Sequence, residues 1–274
     1  MGDLGLLRRR LGTFDRVVVA FSGGVDSSLL AWVAHDTLGA GRVVAATAVS
    51  ASLAPSELDA CRELAGRWGL RWVPVTTDEG ARPEYVANGA DRCYHCKTEL
   101  MERLAPLAAP GAAAFAETGQ PGAVIALGVN LDDLGEHRPG QRAASERGAV
   151  FPLVDAGFTK ADVRATARRL GLDVWDKPAA ACLASRVPYG TPVTLGTLGR
   201  VAVAEEGLRK LGFAQLRVRH YGDLARVELD PADLLGAVER RGEVVAVVRA
   251  AGYRYVTLDL EGFRSGNLNA ALAS

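Results

Sequence analysis

The chain has 274 residues, of which 49% are hydrophobic, and its 32 basic side chains balance 32 acidic ones. This length supports a sizeable core and favours two domains over one. A general nucleic-acid binder normally carries a basic excess, which is absent here. Four cysteines in a chain this long do not make a disulfide scaffold. Without an apolar run of signal-peptide or membrane-spanning length, we expect a cytoplasmic protein with reduced thiols.

The first half of the chain alternates short apolar strands with helices. Four stretches have the composition of buried strands, and they begin at Arg16, Arg42, Arg71 and Ala123. Helices are predicted over 26–38, from Pro55, and from Lys160 behind a Thr159 cap. This alternation is typical of a parallel sheet with helices on both faces.

After Gly190 the pattern changes. It predicts a helix over 198–211, two alternating strands in "AQLRVRHY" and "LARVELD", a helix over 231–251 and a last strand in "YRYVTLDL". That order indicates a smaller α/β domain. We place the boundary at the proline-bracketed stretch "KPAAACLASRVPYG", which predicts an α/β fold with a parallel-sheet domain at 1–176 and a second domain at 177–274.

The stretch "AFSGGVDSS", residues 20–28, lies between the first predicted strand and the first predicted helix. Gly23 and Gly24 allow a sharp turn with no Cβ in the way, so that successive N–H groups can converge on an anion. The positive N-terminal end of the next helix adds to this effect. Asp26 can order the turn or hold a metal ion, and hydroxyls come from Ser22, Ser27 and Ser28. The stretch predicts a phosphate site, with an ordinary capped strand-to-helix turn as the alternative.

No Gly-Lys-Ser/Thr follows these glycines, so the stretch is not a Walker A loop. "SGGVDSS" resembles the PP-loop of the ATP pyrophosphatases, which include NAD, GMP and asparagine synthetases and tRNA-thiolating enzymes. The resemblance implies that ATP is cleaved between its α- and β-phosphates and that AMP is left on a substrate oxygen. The loop would hold the leaving pyrophosphate, and Mg²⁺ would neutralise its charge.

Three of the four cysteines precede Cys182, and none of them requires a reactive role. Cys61 lies at core spacing within a predicted helix, which favours a buried structural role. Cys93 and Cys96 form "RCYHCK", which is half of a zinc site, a redox pair, or two positions at the start of a helix. The residues alone leave these interpretations of the CxxC pair open.

Cys182 stands apart because it lies outside regular structure, between two prolines. The nearby charges of Arg186 and Lys177 would favour its thiolate over the thiol. It either fills a gap in the core or reacts. Beside a loop that makes an acyl-adenylate, a thiolate is the best nucleophile among the side chains at neutral pH, and this favours a reactive role.

Six motifs extend the resemblance over almost the whole chain. They are "SGGVDSS", "RCYHCK", "GVNLDDLGEHRPG", "WDKPAAACLASRVPYG", "RVRHYGDLARVEL" and "LDLEGFRSGNLN". Together they resemble the LarE-type sacrificial sulfur transferases of the PP-loop superfamily, which have an adenine nucleotide alpha hydrolase-like fold. Glu136 and His137 depart from the family's usual Asp-Tyr before Arg-Pro-Gly. No cysteine follows Cys182, which argues against the relatives that recycle sulfur through an iron–sulfur cluster.

The resemblance implies a specific chemistry for Cys182. ATP adenylates a carboxylate of pyridinium-3,5-biscarboxylic acid mononucleotide, and the thiolate of Cys182 displaces AMP to form a thioester. The Cβ–S bond of the cysteine then breaks by elimination. Sulfur leaves as a thiocarboxylate destined for a nickel-pincer cofactor, as in lactate racemase, and the protein keeps dehydroalanine.

The resemblance also implies supporting groups. The substrate phosphate would be held by Ser185, Arg186, Arg217 and Arg219, although the two strand arginines could instead mark a solvated edge. Asp132, just after a predicted strand, would bind ATP or Mg²⁺, or merely cap a turn. Metal ligands are expected among Asp26, Glu206 and Glu228, with solvated acids as the alternative. We expect a small-molecule substrate, a homo-oligomer, and neither nucleic acid nor membrane as a partner.

Two other functions compete with sulfur transfer. One is a PP-loop tRNA thiolase or amide-forming synthetase, which would need an RNA-binding surface or an amidotransferase partner. The other is a nucleotide-binding sensor that uses Cys93 and Cys96 as a redox or metal switch. The sensor would bind ATP without releasing AMP.

Overall fold

A computed structural model of the chain describes residues 2–115, 121–134, 138–178 and 182–264. The chain divides into two compact units. The first unit is formed by Met1–Glu79 and Cys93–Ala180, and the second by Gly80–Arg92 and Ala181–Ser274. The second unit therefore takes up two separate stretches of chain, one of them an excursion from the N-terminal half.

The first unit contains a four-stranded parallel sheet in the order β3-β2-β1-β4. Its strands are β1 (Val17–Ala20), β2 (Val43–Val49), β3 (Arg71–Thr76) and β4 (Val124–Leu127). Val17 pairs with Val43 on one side and with Val124 on the other, so β1 is central. Since parallel strands end at one edge of the sheet, the segments after β1 and β4 emerge side by side.

The helices are numbered in chain order. They are α1 (Leu4–Gly12), α2 (Val25–Leu38), α3 (Pro55–Arg67), α4 (Pro83–Val86), α5 (Arg92–Ala108), α6 (Pro139–Ser145), α7 (Pro152–Asp155), α8 (Lys160–Arg169), α9 (Leu195–Lys210), α10 (Leu234–Glu239) and α11 (Arg241–Ala250). Local chemistry explains several boundaries. Pro55 occupies the first turn of α3, and Thr159 and Asp162 form a capping box at the start of α8. Within the described residues, none of these helices is long and apolar enough to cross a membrane.

Both faces of the parallel sheet are covered. Val17 and Val19 of β1 pack into one core cluster with α1 and α2, whereas Val18 packs into another with α5. The alternation follows from the two-residue period of a strand. All three valines are 0% exposed, which explains why this strand has no polar face in the sequence.

The second unit has a three-stranded sheet in the order β5-β6-β7. Its strands are β5 (Leu216–Tyr221), β6 (Leu224–Leu229) and β7 (Tyr255–Leu258). The β5–β6 pair is antiparallel, and β6–β7 is parallel. Leu208 of α9 and Val248 of α11 join Val218 and Val227 of the sheet in one core. The predicted α/β class, with a parallel sheet and a second small sheet, is confirmed.

One predicted element is wrong. The stretch 231–251 is not a single helix but a 3₁₀ turn at Pro231–Asp233 followed by α10 and α11, which are separated at Arg240. The Arg240 backbone leaves helical geometry, and its guanidinium donates to the Leu211 carbonyl at 2.8 Å and to the Glu243 carboxylate. These contacts redirect the chain at that point.

Candidate active site

The glycine-rich turn joins the end of β1 to the start of α2. Gly23 has a φ of +69°, a left-handed conformation that favours glycine, and the extended Gly24 precedes the first helical residue. Among the described residues no side chain caps α2 at this end, so its first-turn N–H groups remain available for an anion. The predicted turn therefore has the backbone that phosphate binding requires.

The serines of the turn have unequal roles. The Ser22 N–H donates to Ser27 Oγ at 3.2 Å, and Ser27 Oγ lies 3.1 Å from both Ser22 Oγ and the Gly24 carbonyl oxygen. Ser27 thus ties the loop to the first turn of α2. Ser28 is fully buried, and its Oγ has no hydrogen-bond partner among the described residues.

Asp26 is held between two residues that were not predicted as site residues. Asn130 Nδ2 donates to Asp26 Oδ1 at 2.9 Å, and Lys160 Nζ forms an ion pair with Asp26 Oδ2. The predicted Asp132 accepts from the backbone N–H of Lys160 at 2.9 Å, within a 3₁₀ turn at Leu131–Asp133. An acid and a lysine therefore adjoin the glycine turn at the carboxyl edge of the sheet. In the sequence, the two partners of Asp26 are marked only as the asparagine that ends "GVN" and as the lysine that follows a helix cap.

Gly128 permits this assembly. A Cβ on Gly128 would lie 2.6 Å from the Ser27 nitrogen and 2.8 Å from the Asp26 carbonyl carbon. These are backbone atoms and cannot move aside easily. The chain leaving β4 therefore passes the start of α2 at a distance that only glycine allows.

Lys177 and Cys61 support the other side of the turn. Lys177 Nζ donates to Glu57 Oε2 at 2.8 Å and to the Gly23 carbonyl at 3.3 Å. Cys61 is fully buried, as predicted, and a Cβ on Gly23 would lie 2.8 Å from its Sγ. Burial raises the pKa of the Cys61 thiol, against the opposing effects of a Thr47 hydrogen bond and the Lys177 charge. Cys61 thus stays a neutral packing group beneath the loop.

Cys182 is exposed and immediately precedes a 3₁₀ turn at Leu183–Arg186. Its carbonyl oxygen accepts from the Ser185 N–H at 2.9 Å and faces Arg186 Nη1 at 3.4 Å. Arg186 Nη1 also donates to Ser185 Oγ at 3.0 Å. An exposed thiol does not fill a core gap, so that interpretation of Cys182 is wrong. Two donors converge on its carbonyl while its sulfur remains accessible.

Buried carboxylates hold two of the predicted arginines. Arg186 donates to Glu205 through Nε and Nη2, at 2.7 and 3.1 Å. Arg219 donates through Nε to Glu228 at 2.9 Å and through Nη1 to the Ser185 carbonyl at 2.8 Å. Its buried Nη2 has no hydrogen-bond partner within the described chain. The arginines therefore have fixed positions beside the turn that follows Cys182.

Arg217 completes the cluster. Its guanidinium lies 4.6 Å from the centre of the Phe263 ring, and no ion pair to it occurs in the part of the chain that is described. Burial, and secondarily the charges of Arg186 and Arg219, lower the pKa of Arg217 to about 10. The alternative of a solvated strand edge is wrong, since Arg217 and Arg219 are 6% and 1% exposed. Such a cluster of cations would be stabilised by an anion.

The expected metal ligands lie in different surroundings. Glu206 is exposed, with Lys210 Nζ at 3.8 Å, and Glu228 is buried between Arg219 and Arg226. Over the described ranges, no group of three or more histidine, cysteine or acidic residues could hold a metal ion. Magnesium that accompanies a nucleotide needs only one or two carboxylates in addition to the phosphates, and Asp26 can supply one.

The CxxC pair lies at the start of α5, with Cys93 exposed and Cys96 half-buried, and neither is in a disulfide. Glu136 and His137, where the sequence departs from the family pattern, lie outside the described residues. The structure therefore adds no chemical role for either motif.

Comparison with known proteins identifies relatives of the chain, whereas no protein-family model matches it. The chain is 46% identical to an uncharacterized protein of Synechocystis sp., over 97% of its own length and 96% of that protein. It is 38% identical to the pyridinium-3,5-bisthiocarboxylic acid mononucleotide synthase of Lactiplantibacillus plantarum, over 96% and 92% of the two chains. A glutamine-dependent NAD(+) synthetase of Rhodobacter capsulatus is 40% identical over 81 residues, only 14% of that protein.

Proposed function

The chain belongs to the LarE-type family of PP-loop ATP pyrophosphatases, and we propose that it is an ATP-dependent sacrificial sulfur transferase whose sulfur donor is Cys182. Its substrate would be pyridinium-3,5-biscarboxylic acid mononucleotide, and its product the thiocarboxylate used to build a nickel-pincer cofactor. The observation that carries the proposal is an exposed Cys182 on the same short turn as Ser185 and Arg186, next to buried arginines.

The glycine turn supports the first step, adenylation of a substrate carboxylate. The N–H groups at the start of α2 would bind the leaving pyrophosphate, with Gly23 and Gly24 providing the approach. Lys160 would stabilise the charge that develops on the phosphates. Bound Mg²⁺ would neutralise phosphate charge, and Asp26 would supply a carboxylate ligand for it.

The arginine cluster supports recognition of the mononucleotide. Arg217 and Arg219 would bind the substrate phosphate, together with Ser185 and Arg186. Burial, and then the charges of Arg186 and Arg219, depress the pKa of Arg217, and a phosphate dianion would oppose both effects by pairing with its guanidinium. It would also give the Arg219 Nη2 an acceptor. The energy of that contact would then orient the carboxylate that reacts.

The Cys182 turn supports the sulfur chemistry. The thiolate attacks the acyl-adenylate carbon and AMP leaves, which gives a thioester on Sγ. A base then removes the Cα proton, the Cα–H electrons form the Cα=Cβ double bond, and the Cβ–S electrons leave with the thiocarboxylate. Negative charge builds on the Cys182 carbonyl oxygen as the proton leaves, and the Ser185 N–H and Arg186 guanidinium that face this oxygen would stabilise it.

Intact mass spectrometry tests the proposal. We expect protein incubated with ATP, Mg²⁺ and the biscarboxylate mononucleotide to release AMP and to become lighter by one hydrogen sulfide at Cys182. Cys182→Ala should still release pyrophosphate but make no thiocarboxylate. Cys93→Ala, which removes another exposed thiol, is the matched control and should behave as the wild type. Thiolated product from protein of unchanged mass would reject sacrifice of the cysteine, and the absence of AMP would reject the enzyme class.

A further inference from the structure

The excursion Gly80–Arg92 leaves the first unit and packs in the second, against residues 182–193, here called the cysteine loop. Backbone hydrogen bonds join the two segments. The Gly190 N–H donates to the Asn88 carbonyl at 3.1 Å, and the Val193 N–H donates to the Val86 carbonyl at 2.9 Å. A stretch nearly a hundred residues upstream thus borders the loop that begins with Cys182.

Asn88 is the centre of this contact. It is fully buried and has a φ of +58°, the only positive value for a residue other than glycine among the described residues. Its Nδ2 donates to the Pro188 and Thr191 carbonyls at 2.7 and 2.8 Å and lies 3.4 Å from the Val187 carbonyl. A left-handed backbone is unfavourable for a residue with a Cβ, and it persists where the surroundings require it. Asn88 therefore fixes the distal half of the cysteine loop.

Arg92 fixes the proximal half. It is 6% exposed, and its Nη1 donates both to Asn88 Oδ1 and, at 3.0 Å, to the Ala184 carbonyl. Its guanidinium also lies 5.7 Å from the centre of the Tyr189 ring. Ala184 belongs to the 3₁₀ turn whose Ser185 N–H holds the Cys182 carbonyl. Arg92 thus reaches the peptide chain two residues beyond the reactive cysteine.

We propose that Asn88 and Arg92 are positioning residues for sulfur transfer, an inference that rests on the function proposed above. Asn88 Nδ2 and Arg92 Nη1 donate to backbone carbonyls of the cysteine loop, while the thiol of Cys182 itself stays exposed. They keep the chain beyond residue 183 in place while residue 182 first attacks the adenylate and then flattens to dehydroalanine. Misplacement of a reacting atom by about 1 Å can lower a rate by about a hundredfold, so this restraint affects the sulfur steps.

Three variants test the proposal. Asn88→Gly keeps the positive φ accessible and removes the Nδ2 donors, and Arg92→Met removes the donor to Ala184. Arg92→Lys retains a charge and a donor, so it should partly rescue the rate. Arg254→Met is the matched control, because Arg254 also faces a tyrosine ring in the second unit, at 5.4 Å, but is exposed.

Two rates are compared in a single turnover with ATP, Mg²⁺ and the biscarboxylate mononucleotide. They are the release of pyrophosphate and the loss of hydrogen sulfide from the protein by intact mass. We expect Asn88→Gly and Arg92→Met to slow the loss of sulfur by about tenfold or more, with pyrophosphate release within about twofold of the wild type. Hydrogen exchange at the Gly190 and Val193 amides should become faster in Asn88→Gly, which reports a released loop independently of activity.

Each other outcome overturns the proposal. If hydrogen exchange shows that the loop of a variant is released, and the variant still loses sulfur at the wild-type rate, the restraint has no role in the reaction. An equal fall in both rates shows a general structural role for the two residues. If wild-type protein keeps its mass during turnover, the proposed function fails before any variant is measured. That failure is distinguishable from the failure of the positioning role.

Discussion

The Glu205 carboxylate accepts hydrogen bonds from Nε and Nη2 of Arg186, at 2.7 and 3.1 Å, and both side chains are buried. Glu205 also accepts from Arg209 Nη2 and from the Val218 N–H. One carboxylate thus neutralises a helix arginine and the arginine of the Cys182 turn while it caps a strand peptide. Loss of its charge would remove the buried carboxylate that both guanidinium groups contact.

We therefore expect Glu205→Gln to lower the free energy of unfolding by about 3 kcal/mol or more, since removing one partner strands a buried charge. Glu206→Gln, one residue along the same helix, removes only an exposed partner of Lys210 and should change stability by less than about 1 kcal/mol. Urea denaturation of both variants measures the difference. Equal effects would show that Glu205 is no more important to the fold than a surface acid.

Gly128→Ala should disrupt the glycine turn between β1 and α2. Its Cβ would meet the Ser27 nitrogen at 2.6 Å, so either β4 or the start of α2 must shift. We expect lower thermal stability and a large rise in the KM for ATP. Gly66→Ala, within α3, places its new methyl group where no other atom lies within 4 Å, and it should be neutral or stabilising by up to about 1 kcal/mol. Unchanged ATP kinetics in Gly128→Ala would contradict this role.

Lys160→Met should weaken ATP binding. The substitution removes a cation beside the glycine turn and leaves Asp26 with an uncompensated negative charge facing the phosphates. A hydrogen bond to a charged group is worth roughly 1.5–3 kcal/mol, which corresponds to a loss of about ten- to a hundredfold in affinity. Isothermal titration with ATP and Mg²⁺ measures it. Lys210→Met, at the exposed end of α9, is the control, and wild-type affinity in Lys160→Met would contradict the assignment.

Arg217→Met should remove the preference for a phosphorylated substrate. We compare binding of the biscarboxylate mononucleotide with that of the corresponding nucleoside, which lacks the phosphate. The wild type should bind the mononucleotide more tightly than the nucleoside. The variant should lose about ten- to a hundredfold in affinity for the mononucleotide, with its affinity for the nucleoside unchanged. The reason is that Arg217 is buried beside two other arginines, whose positive charges the phosphate would offset. An equal loss for both ligands would place Arg217 away from the phosphate.

His220 should make the fold sensitive to acid. Burial, and then the charge of Arg200, lower the pKa of His220 below its ordinary value, while Nδ1 lies 3.2 Å from the Tyr253 hydroxyl. As the pH drops through about 6.5, His220 is protonated in the unfolded chain before it is protonated in the folded one. Proton binding then favours the unfolded state, so the free energy of unfolding falls. His220→Gln lacks this contribution. Urea unfolding at about pH 7.5 and about pH 5.5 should show a larger loss for the wild type than for the variant.

The strands of the first unit were predictable because their composition leaves little choice. The predicted strand from Arg16 to Ala20 is β1 at Val17–Ala20, and the predicted start at Arg71 is that of β3. A short run of buried β-branched residues favours a strand with both faces covered. The break at Arg240 was missed because it depends on a hydrogen bond to the distant Leu211 carbonyl, which no local pattern reveals.

The same contrast applies to the candidate site. The glycine turn and Cys182 stand out in the sequence because their residue types are unusual for the structure around them. Asn130 and Lys160 do not, since they meet Asp26 from 104 and 134 residues away. Asn88 is hidden for the same reason. Such polar contacts are specified by the tertiary fold and carry no periodicity that a sequence could display.

The division of the second unit into two stretches bears on how the chain is synthesised. Asn88 leaves the ribosome about a hundred residues before the carbonyls of Pro188 and Thr191 that its amide will meet. The first unit can begin to assemble during this interval, but the second cannot close until translation has passed Thr191. Until then the Gly80–Arg92 stretch waits without its native partners, exposed to chaperones and proteases. The order of translation therefore makes the unit that bears Cys182 the last to mature.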